Sequence, residues 1–355
     1  MRRWLLFFMA ALVLVGCSVC ENGQAVGGNK ADAGVLTIIS WNVQAVFDGK
    51  EDGVEYREYT DGWIQEKYLA RLNTIGAALD SIGVIPDILN LVEVENADVL
   101  EDLSKGALAK HGYYWTFFGH NKGSALGIGV LSRLPLTNTQ VHSAHNDGLI
   151  APRPVLEAQV IAEEQTIVLF FCHWKSKIGG DAETELSRRL SARVIARRIQ
   201  EIHDETPNTP IVVMGDLNEN HDEFFRQDGA YITALLPDHP TAAEMAQGLT
   251  DFLVISADKP PTAVHFPGPT FYSPWVEMEG GSYNYRKSWE TIDHFLLSAP
   301  FFDETGWDFA SCTVIRHPSF LNKYRTPYSY NPKTGDGLSD HLPLLLTLNN
   351  KETGN

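Results

Sequence analysis

Six apolar runs in this chain lead into or out of a side chain that could do chemistry. V-L-T-I-I-S-W-N-V over 35–43 reaches Asn42, I-L-N-L-V over 88–92 reaches Glu93, and T-I-V-L-F-F-C over 166–172 reaches His173. I-V-V-M-G-D-L-N over 211–218 delivers Asp216 and Asn218, and T-I-D-H-F-L-L-S over 291–298 starts with Asp293. G-L-S-D-H-L-P over 337–343 sets Asp340 and His341 side by side before the run 344–348. A lone G-D-x-N could do no more than cap a loop. Repeated at several strand ends, such groups could surround a divalent cation that in turn meets a phosphate.

Strands and helices must alternate to deliver these groups. The β-branched runs read as buried strands, because a strand covered on both faces shows a short continuous apolar run. Apolar residues at Ile64, Tyr68, Leu72, Ile75, Leu79 and Ile82 recur at three and four, so 63–82 reads as an amphipathic helix. A second helix is expected over 98–110. A third is expected over 183–203 with Leu186, Leu190, Val194 and Ile199 inward and its five arginines on a solvated face. Strands are expected at 155–161 and 166–172. Gly127-x-Gly129 lacks the third glycine of a dinucleotide fingerprint, and a turn between strands is the better reading of the glycines from 119 to 129. The Pro- and aromatic-rich segment 260–289 is too apolar for a linker and is expected to pack as loops bordering the site.

The chain has 355 residues, 44% hydrophobic and 21% charged, with a formal net charge of −17. Such a balance excludes a non-specific nucleic-acid coat built on a basic surface. Arg2 and Arg3 followed by an apolar run over 4–15 read as a secretory leader, too short to span a bilayer. The run closes on L-V-G-C, which resembles a bacterial lipobox with Cys17 acylated. The expectation is a leader over 1–16, a flexible tether over 17–34, a single domain over 35–349 and a tail over 350–355. The protein would then be a monomer, exported and held on a bacterial membrane at the periplasmic or cell surface through its N-terminal lipid. Cys172 and Cys312 lie in apolar runs and read as buried small hydrophobes.

Taken in order, S-W-N-V at 40–43, the Glu93 strand end, L-S-R-L-P at 131–135, H-W-K-S-K at 173–177, G-D-L-N at 215–218, T-I-D-H-F-L-L-S at 291–298 and S-D-H-L-P at 339–343 resemble the endonuclease/exonuclease/phosphatase superfamily. The resemblance runs from about 35 to 348. It implies a deoxyribonuclease-I-like α/β fold, a four-layer sandwich of two mixed sheets flanked by helices. It also implies a metal-dependent phosphodiester hydrolase, foremost a nuclease acting on DNA or RNA. A sphingomyelinase-like lipid-headgroup phosphodiesterase or phosphatase is the alternative, and a non-catalytic surface binding protein is a reading of a different class.

On that resemblance Asn42, Glu93 and Asp340 surround Mg²⁺, with Mn²⁺ or Ca²⁺ able to replace it; oxygen donors suit these ions, and no His/Cys set at zinc spacing occurs. Asp216 orients or deprotonates the attacking water and Asn218 holds a phosphoryl oxygen. His341, oriented by Asp293, is the second phosphate contact or the base. His173 bonds the phosphate or protonates the leaving oxygen, so the acid and base assignments stay open among His173, Asp216 and His341. Arg153, Lys175 and Ser176 are further phosphate contacts on weaker grounds. Glu95 competes with Glu93 for the metal. Gln44 stands where base-excision endonucleases tend to carry Asp, which argues against an abasic-site repair enzyme.

Overall fold

The computed structural model describes residues 34–351 apart from 61 and 147. The leader, Cys17, Cys20 and the tether up to residue 33 lie outside the described residues. Strand Val35–Val46 sits inside a six-stranded mixed sheet. It pairs in parallel with Ile88–Val94 and antiparallel with Leu344–Asn350, which carries Trp307–Val314 at the edge. On the other side Ile88–Val94 pairs with Gly127–Ser132 and that with Trp115–Gly119, both antiparallel. The second sheet has eight strands centred on Ile211–Asp216. Gln165–His173 is its parallel neighbour and Asp293–Leu297 its antiparallel one.

Side-chain alternation makes the layers. Leu36 and Ile38 face the second sheet, where they meet Leu169, Phe171, Met214 and Phe295 in a fully buried core. Ile39, Trp41 and Val43 point the other way, onto the helix Gln65–Ser81 through Tyr68, Leu72 and Ile75. On the far side Phe170 and Val213 pack against the helix Asp181–Glu205 through Leu190, Ile195 and Ile199. Period-two burial on both faces requires helices outside both sheets, and the four-layer order follows. Burying each large apolar side chain of the middle layer contributes about 1.5–3 kcal/mol.

Several expectations shift. Ile64 precedes the first helix and is 52% exposed. The second helix runs Ala97–Lys105, capped by Asn96 Oδ1 accepting from Val99 N at 3.1 Å, and Gly106 separates it from a short turn at Ala109–His111. Leu186 is exposed and Arg188 is fully buried. Leu190, Val194 and Ile199 are buried as expected, and Thr184, Arg188, Ser191 and Ile195 join them, so a buried ion pair takes the place expected for Leu186. The segment 260–289 supplies the strand Thr270–Tyr272 to the second sheet, and the strand Tyr283–Tyr285 follows in the loop region. Cys172 and Cys312 are buried free thiols. Among the described residues no helix is long and apolar enough to cross a membrane.

Candidate active site

The same alternation that fills the middle layer with apolar groups ends in polar ones. Beyond Leu36 and Ile38 the inward face of the first strand continues to Asn42; beyond Met214 it continues to Asp216; beyond Phe171 to His173; and Phe295 is preceded by Asp293. Asn42 Nδ2 crosses between the sheets to Asp216 Oδ2 at 3.0 Å and also reaches Glu93 Oε1 at 3.2 Å. Asp216 pairs with Asp293 on one neighbouring strand and with His173 on the other. Gly215 makes this close arrangement feasible. Its φ is +127°, and a Cβ there would lie 2.0 Å from the Cys172 carbonyl oxygen.

Glu93 arrives differently. Leu89 and Leu91 face the helices, so strict alternation would turn Glu93 to that side. Pairing slips between Val92 and Val94, and Glu93 takes φ +73°. That bulge re-aims the carboxylate. Its Oε2 accepts from Ala45 N at 3.0 Å, while Gln44 N donates to Asn42 Oδ1 at 3.0 Å. Gln44, Ala45 and Asn218 also have positive φ, at 53°, 49° and 52°. Non-glycine residues in this region store strain, and their clustering marks a functional crevice.

His341 Nδ1 lies 2.8 Å from Asp293 Oδ2, and its Nε2 lies 4.0 Å from Asp216 Oδ2. Ser282 Oγ donates to the same Asp293 oxygen at 2.5 Å, and Trp275 Nε1 donates to the Asp293 carbonyl at 2.8 Å. Ser339 Oγ donates to Asn42 O at 2.6 Å and accepts from His341 N at 3.0 Å, which ties the two strand ends together. The Tyr283 ring packs 4.7 Å from the His341 ring. Trp275 and Tyr283 come from the aromatic segment expected to border the site, while Ser282 carries no sequence signal of its own. Ser339 does carry one, since a serine two residues before a backbone N–H it can accept from is a local turn signature.

Charges are set unequally. Burial raises the Asp216 carboxyl to about 7, the Asp293 charge adding to it while His341 and Asn42 oppose. Burial also raises Glu93, reinforced by Asp340, although its side chain stays 22% exposed and solvent moderates the effect. His173 falls well below its ordinary value through burial and the Arg153 and His341 charges. For His341 burial acts against the imidazolium, yet the charge and hydrogen bond of Asp293, with Asp216 and Asp340, carry it well upward. One imidazole is therefore neutral and the other cationic.

His173 Nε2 stands 3.7 Å from Glu93 Oε1 and 3.8 Å from Asp216 Oδ2. Asn218 Nδ2 donates to the Trp174 carbonyl at 3.1 Å, and Arg153 Nη1 donates to the same oxygen at 2.5 Å. Lys175 and Ser176 are not brought in: Lys175 Nζ turns back on its own loop, to Ser176 O at 2.9 Å, Ser176 Oγ at 3.2 Å and Ile178 O at 3.0 Å. Glu95 also lies apart. It accepts from Asp48 N at 2.5 Å and groups with Asp52 and Glu55, so Glu93 alone of the two meets Asn42.

Among the described residues two sets of side chains stand close enough to share an ion: Asp216, Asp293 and His341, and Asp52, Glu55 and Glu95. In the first, Asp293 and His341 already satisfy each other, which makes it a hydrogen-bonded relay. Asn42, Glu93 and Asp340 fit a cation better. Asp340 raises the proton affinity of Glu93, and among the described residues no lysine or arginine pairs with either carboxylate. Hard oxygen donors of this kind suit Mg²⁺, Mn²⁺ or Ca²⁺, with the Arg153 and His341 charges also bearing on Glu93. A cavity of about 570 Å³ beside Arg193, Arg197 and Phe252 contains none of these residues.

Comparison with known proteins agrees with this architecture. The family model described as Endonuclease/Exonuclease/phosphatase family matches residues 37–234, more than half of the chain. No curated protein matches in sequence. Among solved structures, truncated TDP2 from Caenorhabditis elegans is similar at 15% identity and TM-score 0.52, over 89% of this chain and 98% of that one. TDP2 from D. rerio complexed with a single-strand DNA product is similar at 17% identity and TM-score 0.51, over 89% and 99%. The human Nocturnin catalytic domain with bound sulfate is similar at 16% identity and TM-score 0.51, over 89% and 94%. At these identities the likeness is one of fold: two mixed sheets packed face to face. The chain belongs to the endonuclease/exonuclease/phosphatase family, and with it to the hydrolases of phosphoric esters.

Proposed function

We propose that this chain is an exported, lipid-anchored phosphodiesterase that cuts DNA or RNA with the help of a divalent cation. One observation carries the reading: Asp293, His341 and Asp216 form a hydrogen-bonded and charge-linked row, and Asn42 ties that row to Glu93. Asn42, Glu93 and Asp340 would hold the cation, Mg²⁺ foremost. A cation held there supplies charge neutralisation to the phosphate and to the departing oxyanion.

The protein's own groups do the rest. Asp216, with its proton affinity raised to about 7, takes a proton from the water that attacks phosphorus in line. Asn42 and the Asn218 backbone N–H, at 3.0 Å from its two oxygens, keep that carboxylate aimed. His341, cationic through Asp293, donates from Nε2 to a non-bridging phosphate oxygen and gathers the charge that develops there. His173, whose imidazolium burial disfavours, serves as a hydrogen-bond donor, and we assign the base role to Asp216. The remaining N–H groups of Asn218 and Arg153 border the same space. Ligand-bearing relatives of this fold support a phosphate ester: the D. rerio TDP2 structure holds a single-strand DNA product and the Nocturnin structure a sulfate. Cys17 would carry the lipid.

Supercoiled plasmid is the test substrate, with Mg²⁺, with EDTA, and with the His341→Ala protein. Nicking should require the metal and fall at least a hundredfold in the variant, on the order of one lost electrostatic contact. Hydrolysis of sphingomyelin without nicking would shift the substrate to a lipid headgroup. Phosphate-ligand binding with no turnover on either would leave a surface binding protein.

A further inference from the structure

Arg71 enters the interior from the helix Gln65–Ser81 and is 1% exposed. Its Nη2 donates to the Val43 carbonyl at 2.6 Å and to the Leu338 carbonyl at 2.5 Å. The Tyr330 ring lies 3.8 Å from the guanidinium carbon. Nε and Nη1 are buried with no partner. Among the described residues no carboxylate pairs with Arg71, and burial lowers it to about 10, with only Tyr330 and Tyr59 acting against the fall. A buried charge without a counter-charge is costly, and a side chain that keeps one needs an acceptor.

Beside Arg71 lies a cavity of about 180 Å³ lined by Lys67, Thr74, Tyr330, Lys333 and Thr334 among others. No acidic side chain lines it, and among the described residues neither Lys67 nor Lys333 forms an ion pair. Among the described residues two lysines without ion pairs stand beside the Arg71 guanidinium in a hollow that three hydroxyl-bearing side chains also line, in contrast with a chain of net charge −17. We propose that this cavity binds a tetrahedral phosphate-type oxyanion, separate from the catalytic crevice. Ammonium groups such as those of Lys67 and Lys333 are donors that recognise such an anion, and the volume admits it with attendant water. The assignment does not rest on the proposed activity.

The test is thermal unfolding of the purified full-length chain in EDTA, titrated with inorganic phosphate against sodium chloride of equal ionic strength. A short oligonucleotide without terminal phosphate forms a second arm. Phosphate at a hundredfold excess over its Kd should raise Tm by roughly 5 °C in the wild type and equally in His341→Ala. The shift should vanish in the Lys67→Glu/Lys333→Glu protein, whose basal hydrolysis should be unchanged. A shift given only by the oligonucleotide and lost in the lysine variant would also establish the site, with the diester backbone as the source of the anion. A response that survives the lysine changes, one that disappears in His341→Ala, or none in either arm would overturn the proposal and leave a water-filled hollow. Because the readout is unfolding without metal, failure of the nicking assay would not produce any of these results.

Discussion

Among the described residues two arginines are buried, and they are treated in opposite ways. Arg188, on the outer helix of the eight-stranded sheet, is enclosed: Nε lies 3.0 Å from Glu185 Oε2 and 3.2 Å from Glu219 Oε2. Its Nη1 donates to Thr184 Oγ1 at 2.9 Å and Lys175 O at 3.1 Å, and Nη2 to Asp181 O at 2.8 Å. Arg71, on the outer helix of the six-stranded sheet, uses one nitrogen and leaves two unmatched. Closure on one side and vacancy of acceptors on the other teach that burial alone does not assign a role. What decides is whether the donors are all matched from within the chain.

The largest effect that would sharpen this contrast is on the closed side. Arg188→Met leaves Glu185 and Glu219 buried without their cation and should lower the unfolding free energy by about 3–5 kcal/mol in urea titrations. A value near zero would mean that the network contributes no more than an apolar core. Next in size is an acid effect beside the same network. His294 Nε2 lies 2.8 Å from the Glu219 carbonyl, and burial lowers the imidazole to about 4. The unfolded chain protonates this residue near its ordinary value of 6.5, so its stabilising contribution is full above 6.5 and fades as pH falls toward 4. The stability difference between the wild type and His294→Gln should therefore shrink by roughly 2–3 kcal/mol from pH 7 to pH 4. The smallest effect belongs to the open side. Arg71→Met, in the absence of phosphate, should cost about 1 kcal/mol or less, because an apolar side chain of similar volume removes the unmatched donors along with the two hydrogen bonds. A loss as large as that of Arg188→Met would erase the distinction.

Much of the crevice was readable because alternation is a reliable carrier. Once Leu36, Ile38, Phe171, Met214 and Phe295 are taken as one buried face, Asn42, His173, Asp216 and Asp293 must follow on that face. Asp340 and His341 stood out as an acid and an imidazole side by side ahead of the last apolar run, and the family order of motifs gave them roles. Glu93 was legible as the polar end of its strand but not in its direction, since period two alone sends it to the helices; the bulge that redirects it is a tertiary feature without a composition mark. The arginine-rich helix misled for a related reason. Its period admits more than one inward stripe, and the carboxylates that permit Arg188 to be buried include Glu219 on another segment. Lys175 looked like a phosphate ligand beside His173, yet three local acceptors hold its ammonium. Nothing in the local sequence distinguishes those outcomes.

The last strand, Leu344–Asn350, pairs with the first, Val35 opposite Asn349, and Trp41 Nε1 donates to the His341 carbonyl at 3.1 Å. The order of assembly follows from that closure. A nascent chain lacking its final residues has neither the strand that completes the six-stranded sheet nor the imidazole that faces Asp216. Contacts of such long sequence separation form late and slowly. On the proposed mechanism a chain stopped before residue 340 should hydrolyse nothing, because its first and last strands have not met.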